Sequence, residues 1–184
     1  MTDPGIRARY DRAATAFTAT VTGAPSDCWD SPSPCPGWTA TQLLQHVVDN
    51  VGLFFGLADV PAPQTPAAAE DPTAAWSAAD AATRAVLADP AVADREFDGY
   101  FGRTTLAEAI DRFLSFDLVV HRWDLARATG QDEHIDPQVI AETFTAARNF
   151  GDALRAENVC GPAIPVADDA DEQTRLLAFL GRKP

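Results

Sequence analysis

The stripe Leu106, Ile110, Phe113, Leu114, Asp117, Leu118, His121 and Leu125 constrains this chain most. Its three- and four-residue spacing is that of one helix face. Thr105 and Glu108 make a capping-box pair in front of the stripe and Gly130 follows Thr129 behind it, so one long helix is predicted from Thr105 to Thr129. Within the stripe, Asp117 and His121 hold places that an ordinary bundle gives to Leu or Ile. A carboxylate and an imidazole in a core stripe need partners, and the rest of the chain has to supply them.

Five other segments read as helices. Residues 4–22 place Ile6, Tyr10, Ala13, Phe17 and Val21 on one face. The stretch Asp27 to Gly37, with Pro32, Pro34 and Pro36, is a rigid non-helical connection. Thr39 then reads as an N-cap with Gln42 as its capping-box partner and Trp38 placed to staple against Leu43. That helix should reach about Ala58, with His46 on or beside its apolar face. Pro61 to Pro72 reads as a mobile surface link, followed by an Ala-rich helix from Thr73 to Ala88 anchored by Trp76 and Val86. The segment with Phe97, Tyr100 and Phe101 reads as extended. Asp136 and Pro137 open a fifth helix carrying Ile140, Phe144, Ala147 and Phe150. After a loop with Pro162 and Pro165, a short helix from Thr174 to Leu180 presents Leu176, Leu177, Phe179 and Leu180, which must dock on something. Many helices and almost no strand alternation predict an all-α bundle, as one domain over residues 1–184.

Apolar residues make up 46% of the chain and charged residues 22%, ordinary globular usage that argues against wholesale disorder. Asp and Glu outnumber Lys and Arg by 27 to 14, for a formal charge of -13. That field repels nucleic acid and anionic membrane but leaves small substrates open, because a metal or a local Arg can reverse the potential inside a pocket. The first residues lack a basic start and a continuous apolar stretch, and no run of about 18 apolar residues occurs, so a cytoplasmic location is expected. Cys28, Cys35 and Cys160 are an odd number in loop-like sequence, a poor disulfide framework. None has an adjacent histidine or basic cluster in sequence, so no cysteine nucleophile is expected. Phosphate loop, nucleophile elbow and dinucleotide fingerprint are all missing.

At i,i+4, Asp117 and His121 stand one above the other, and a further ligand from a facing helix, His46, would complete a divalent-metal site with an open position. The competing reading is a buried pair that only satisfies itself. Asp124 and Asp49 lie three residues beyond His121 and His46, placed either to take the second ring proton or to stand as solvated surface carboxylates. Asn50 is a further pocket hydrogen bonder. His134 reads as exposed, Trp123 as packing mass pointing away from His121, and Arg122 and Arg127 as solvated or salt-bridged.

The segments CPGWTATQLLQHVVDN (35–50), DLVVHRWDLARATG (117–130) and IPVADDADEQTRLLAFLGRKP (164–184) together resemble the DinB-like metal-binding superfamily. The closest likeness is a short actinobacterial subgroup of the branch related to the N-terminal domain of mycothiol-dependent maleylpyruvate isomerase. The resemblance implies a DinB-like four-helix bundle with additional C-terminal helical segments and a divalent metal, zinc or nickel, between helices. His46 matches the family's second-helix histidine, and Asp117 and His121 match its carboxylate and histidine four apart. The branch usually carries Glu where this chain has Asp117, one methylene shorter. The implied activity is metal-dependent transfer of a low-molecular-weight thiol, with mycothiol as cosubstrate, to a small electrophile; the alternative is a non-catalytic metal or small-molecule binding protein of the same fold. A homodimer through a bundle face is a further expectation. Isomerisation itself is not carried over, because the isomerase uses a further C-terminal domain.

Overall fold

The computed structural model describes residues 3–156 and 159–184. Helices α1 (Pro4–Gly23), α2 (Ala40–Leu57), α3 (Pro72–Ala88) and α4 (Pro90–Ala93) come first, then an antiparallel hairpin of β1 (Glu96–Gly99) and β2 (Gly102–Thr105). The chain continues as α5 (Leu106–Ala109), a π-helical turn (Ile110–Ser115), α6 (Phe116–Thr129) and α7 (Pro137–Asn149). A 3-10 turn (Gly151–Arg155) and α8 (Glu172–Phe179) complete it. The fold is an all-α bundle with one short hairpin, and no helix among the described residues is long and apolar enough to cross a membrane.

Both capping boxes form. Thr39 Oγ1 accepts from Gln42 N at 3.3 Å while Thr39 N donates to Gln42 Oε1 at 2.9 Å, and Thr105 and Glu108 repeat the exchange at 3.2 and 3.0 Å. These boxes set where α2 and α5 begin, and so where His46 and Asp117 fall along their helices. Gly130, at φ 70°, stops α6 in the left-handed conformation that glycine adopts without steric cost.

Around one core, α1 packs against α3 and α6, and α2 packs against the same two helices. Tyr10, Phe17, Leu43, Trp76 and Ile110 are fully buried there, each contributing roughly 1.5–3 kcal/mol of apolar burial. A second apolar cluster joins α6 to α7 and α8 through Val120, Trp123, Ile140, Leu176 and Leu177. Helix α6 serves both, with Leu118 and Leu125 in the first and Val120 and Trp123 in the second. That double burial is why so few of its residues meet water.

The structure departs from the sequence expectations in three places. The long helix is interrupted by the π turn, where Ser115 Oγ reaches the Ile110 carbonyl five residues back at 3.3 Å; such a turn shifts the helical phase by roughly one residue. The link before α3 is pinned, with Ala68 buried and its N–H bonded to Gln45 Oε1 at 2.8 Å. Phe97 lies in a strand as expected of an extended segment, but Tyr100 and Phe101 form the hairpin loop.

The Thr105 N–H and the Thr104 hydroxyl hold the Glu108 carboxyl below its ordinary range. The folded form therefore binds the proton more weakly than the unfolded chain. The stabilisation is complete above the usual Glu range and is lost as pH falls through the folded value. Thr105→Ala should cost about 1 kcal/mol in urea unfolding. Glu108→Gln, which leaves a cap like that of Gln42, should hold its stability at neutral pH and flatten the acid-side decline in urea midpoint.

Candidate metal centre

Helix α2 supplies His46 and α6 supplies Asp117 and His121, and one ligand atom from each lies within 4.8 Å of the others. His46 Nε2 is 3.6 Å from Asp117 Oδ2, and His121 Nε2 is 3.7 Å from Asp117 Oδ1. The two imidazoles stand edge to face, centroids 5.2 Å apart. They meet at the floor of a cleft of about 640 Å³. Asn50, one turn beyond His46, donates Nδ2 to Asp117 Oδ2 at 2.8 Å and lies 3.1 Å from His46 Nε2. Trp38, expected to staple α2, places its ring 4.8 Å from that of His46.

Behind His121 stands Asp124, with none of its surface exposed. His121 Nδ1 is 3.0 Å from Asp124 Oδ2, so a proton on Nδ1 donates to that carboxylate and leaves Nε2 facing Asp117 and His46. Arg182, from the turn after α8, donates to the same Oδ2 at 3.0 Å and also to the Leu180 carbonyl at 3.1 Å. The tail can enter there because Gly181 adopts φ 77° and passes so close to Gly161 that a Cβ would come within 3.0 Å of the Gly161 backbone. Arg155 clamps the same crossing, bonding the carbonyls of Gly161 and Phe179 at 2.6 and 2.7 Å.

Charge follows geometry. Burial disfavours a charged His121 ring, but the Asp117 and Asp124 carboxylates outweigh it and push its pKa up to about 10. Burial works likewise against the charged forms of Asp117 and Asp124. The His121 and His46 rings hold the Asp117 carboxyl below the ordinary range, and His121 with Arg182 does the same for Asp124. Cys35, His121 and Asp124 form a second cluster within 4.8 Å. A cation there would face the Arg182 guanidinium already bonded to Asp124, so this set orients His121 more naturally than it ligates.

Asp124, weighed from sequence as either a second-proton acceptor or a solvated carboxylate, is the former, whereas Asp49 is exposed and bonded to Gln45. Asn50 takes its expected place. His134 is exposed, Arg127 pairs with Glu133 at 3.2 Å, and Arg122 is tied to the backbone carbonyls of Asp132 and His134. The cysteine expectation needs correction in its premise. Cys35 Sγ lies 4.0 Å from His121 Nδ1 and 3.9 Å from Arg182 Nη2, and Cys160 Sγ lies 3.6 Å from Arg182 Nη1. Burial pushes the Cys160 thiol up, with Arg182 opposing.

The family described as Mycothiol maleylpyruvate isomerase N-terminal domain matches residues 10–126. The chain belongs to this family. The match includes His46, Asp117, His121 and Asp124 and stops short of Arg182. Two uncharacterized Mycobacterium tuberculosis proteins, from strains CDC 1551 / Oshkosh and ATCC 25618 / H37Rv, are each 32% identical over 182 residues, covering 94% of this chain and 95% of theirs. No solved structure matches.

Removing Asp124 leaves the part-buried Arg182 and the buried His121 without their shared counter-charge, a loss in the class that costs about 3–5 kcal/mol. Asp124→Ala should therefore lower the urea unfolding free energy by about 3 kcal/mol. The exposed Asp49→Ala control should change it by less than about 0.5 kcal/mol.

Proposed function

We propose that His46, Asp117 and His121 hold one divalent ion, zinc or nickel, and that the chain is a metal-dependent enzyme joining a low-molecular-weight thiol of the mycothiol type to a small electrophile. The observation that carries this reading is the convergence of two imidazoles and a carboxylate on a cleft floor, with the far nitrogen of His121 committed to Asp124. Such a donor set suits zinc or nickel and leaves room for a further ligand.

A bound divalent ion supplies Lewis acidity that favours the thiolate form of a thiol beside it. The chain's own residues do the rest. Asp124 holds the His121 proton on Nδ1, Asn50 occupies one oxygen of Asp117 and leaves the other for the ion, and the cleft walls limit water around the reacting groups. The thiol comes from the cosubstrate, so Cys35 and Cys160 are not required as nucleophiles. Small molecules rather than nucleic acid are the proposed partners, given the charge of -13, and the proposed setting is cytoplasmic.

One observation favours a second reading, a binding protein without turnover. His46, Asp117 and His121 at the cleft floor are already paired with one another, and His121 also with Asp124 behind it, which leaves no free general base there among the described residues.

Metal analysis by inductively coupled plasma mass spectrometry of tag-free protein, purified without chelator, separates the possibilities. About one ion per chain is expected, lost in Asp117→Ala and His121→Ala while far-UV circular dichroism is retained. Consumption of thiol plus electrophile should vanish on chelation and return with metal. Ion uptake without turnover would favour the binding reading, and a native protein that takes up no added ion would overturn the metal-dependent enzyme and leave a small-molecule binding protein of the same fold. Because an ion on Nε2 competes with the proton that Asp117 and Asp124 stabilise on His121, apparent affinity should rise with pH up to about 10 and fall in acid.

A further inference from the structure

Large apolar side chains are not scattered over the surface. Of the six exposed among the described residues, Leu53, Tyr100, Phe101 and Val159 line the cleft above His46, Asp117 and His121. Leu53 is 59% and Tyr100 79% exposed, values that leave much of each side chain uncovered by the described residues. Concentration of exposed apolar surface on one concavity marks a binding face.

Beneath them runs a continuous aromatic wall. The Phe113 ring stacks on Phe54 at 5.5 Å, on Phe150 at 5.7 Å and on Phe101 at 6.1 Å, and Phe116 meets Phe150 edge-on at 5.1 Å. Phe101 comes from the hairpin loop, Phe54 from α2, and Phe113 from the π turn. With Phe116 from α6 and Phe150 from the end of α7, five parts of the chain build this wall.

The charges on the cleft point the same way. Arg182 is the one Arg or Lys lining it among the described residues, and its guanidinium is engaged with Asp124 and the Leu180 carbonyl. A carboxylate lying along the wall would find no free cation among the residues that line the cleft: the Arg112 guanidinium, over the Phe101 ring at 4.8 Å from its centroid, stands outside that lining and acts on Glu108. Near the floor the carboxylate would meet Asp117. A bound ion would add positive charge at the floor alone, so a second carboxylate on the same ligand would still lack a partner. The cavity, about 640 Å³, is of a size that takes a ligand with several rings or a long chain.

We infer that this cleft binds an uncharged small molecule with a flat aromatic body, which stacks along the Phe54, Phe101 and Phe113 wall and presents its reactive end to the His46, Asp117 and His121 floor. The assignment of the reactive end rests on the metal reading above; the aromatic subsite does not.

The test is a fluorescence titration of the full chain with N-phenyl-1-naphthylamine, a neutral aromatic probe, in wild type, Leu53→Glu, Phe101→Ser and His121→Ala, with maleate as dicarboxylate competitor. Saturable one-site binding is expected. It should weaken by about tenfold or more in Leu53→Glu and in Phe101→Ser, the consequence of losing one apolar or aromatic face, remain in His121→Ala, and resist displacement by maleate. Probe binding that both wall variants leave unchanged, or that maleate displaces, would overturn the inference. Sedimentation of the same samples covers the other occupant: a wild-type dimer that Leu53→Glu converts to monomer would assign the wall to a second copy and also overturn it. Metal content measured on these samples keeps the two readings apart. Protein that binds probe but no ion sinks only the metal centre, and protein that binds ion but no probe sinks only the aromatic subsite.

Discussion

A charged carboxylate with no exposed surface has to be matched by groups that are themselves held in place, and Asp124 imposes that requirement on the rest of the molecule. His121 answers it from one turn earlier on the same helix, and Arg182 answers it from the far end of the chain. The match to Arg182 obliges α8 to pack on α6 and α7, which the second apolar cluster accomplishes. The match to His121 fixes which ring nitrogen faces the cleft. Packing and chemistry are therefore specified by one buried charge, and neither can be altered alone.

The negative surface and the candidate site have little to do with one another. Much of the cationic complement is spent in local pairs such as Arg9 with Asp111, Arg12 with Glu142 and Arg84 with Asp80 and Asp11. Inside the cleft, charge is confined to a floor of mutually paired groups while the walls are aromatic. A negative field thus surrounds a pocket whose walls are largely apolar and aromatic.

Much of this was legible in the chain. The two capping boxes, the proline breaks and Gly130 located the helices because each acts through backbone groups a few residues away. His46, Asp117 and His121 could be singled out because i,i+4 spacing and a polar interruption of a core stripe are local signals. Asp124 was within reach of the same logic: at i+7 from Asp117 it falls on nearly the same helix face, so the interruption is a line of three polar groups rather than two. The π turn left no local signature, since Ile110 to Ser115 reads as ordinary helix. Arg182 and the thiols of Cys35 and Cys160 were opaque for a different reason. Their neighbours are set by how the tail folds back over α6, a contact with no sequence period.

The close crossing of Gly161 and Gly181 has a consequence for the order in which the site is assembled. Arg182 lies 58 residues downstream of Asp124, so a ribosome delivers the bundle core, including all three groups of the cleft floor, well before the guanidinium that neutralises it. Until the tail has been made, the buried Asp124 carboxylate has His121 as its partner but lacks the Arg182 guanidinium. The complete charge network therefore joins segments made far apart in time, Asp124 and His121 early and Arg182 later.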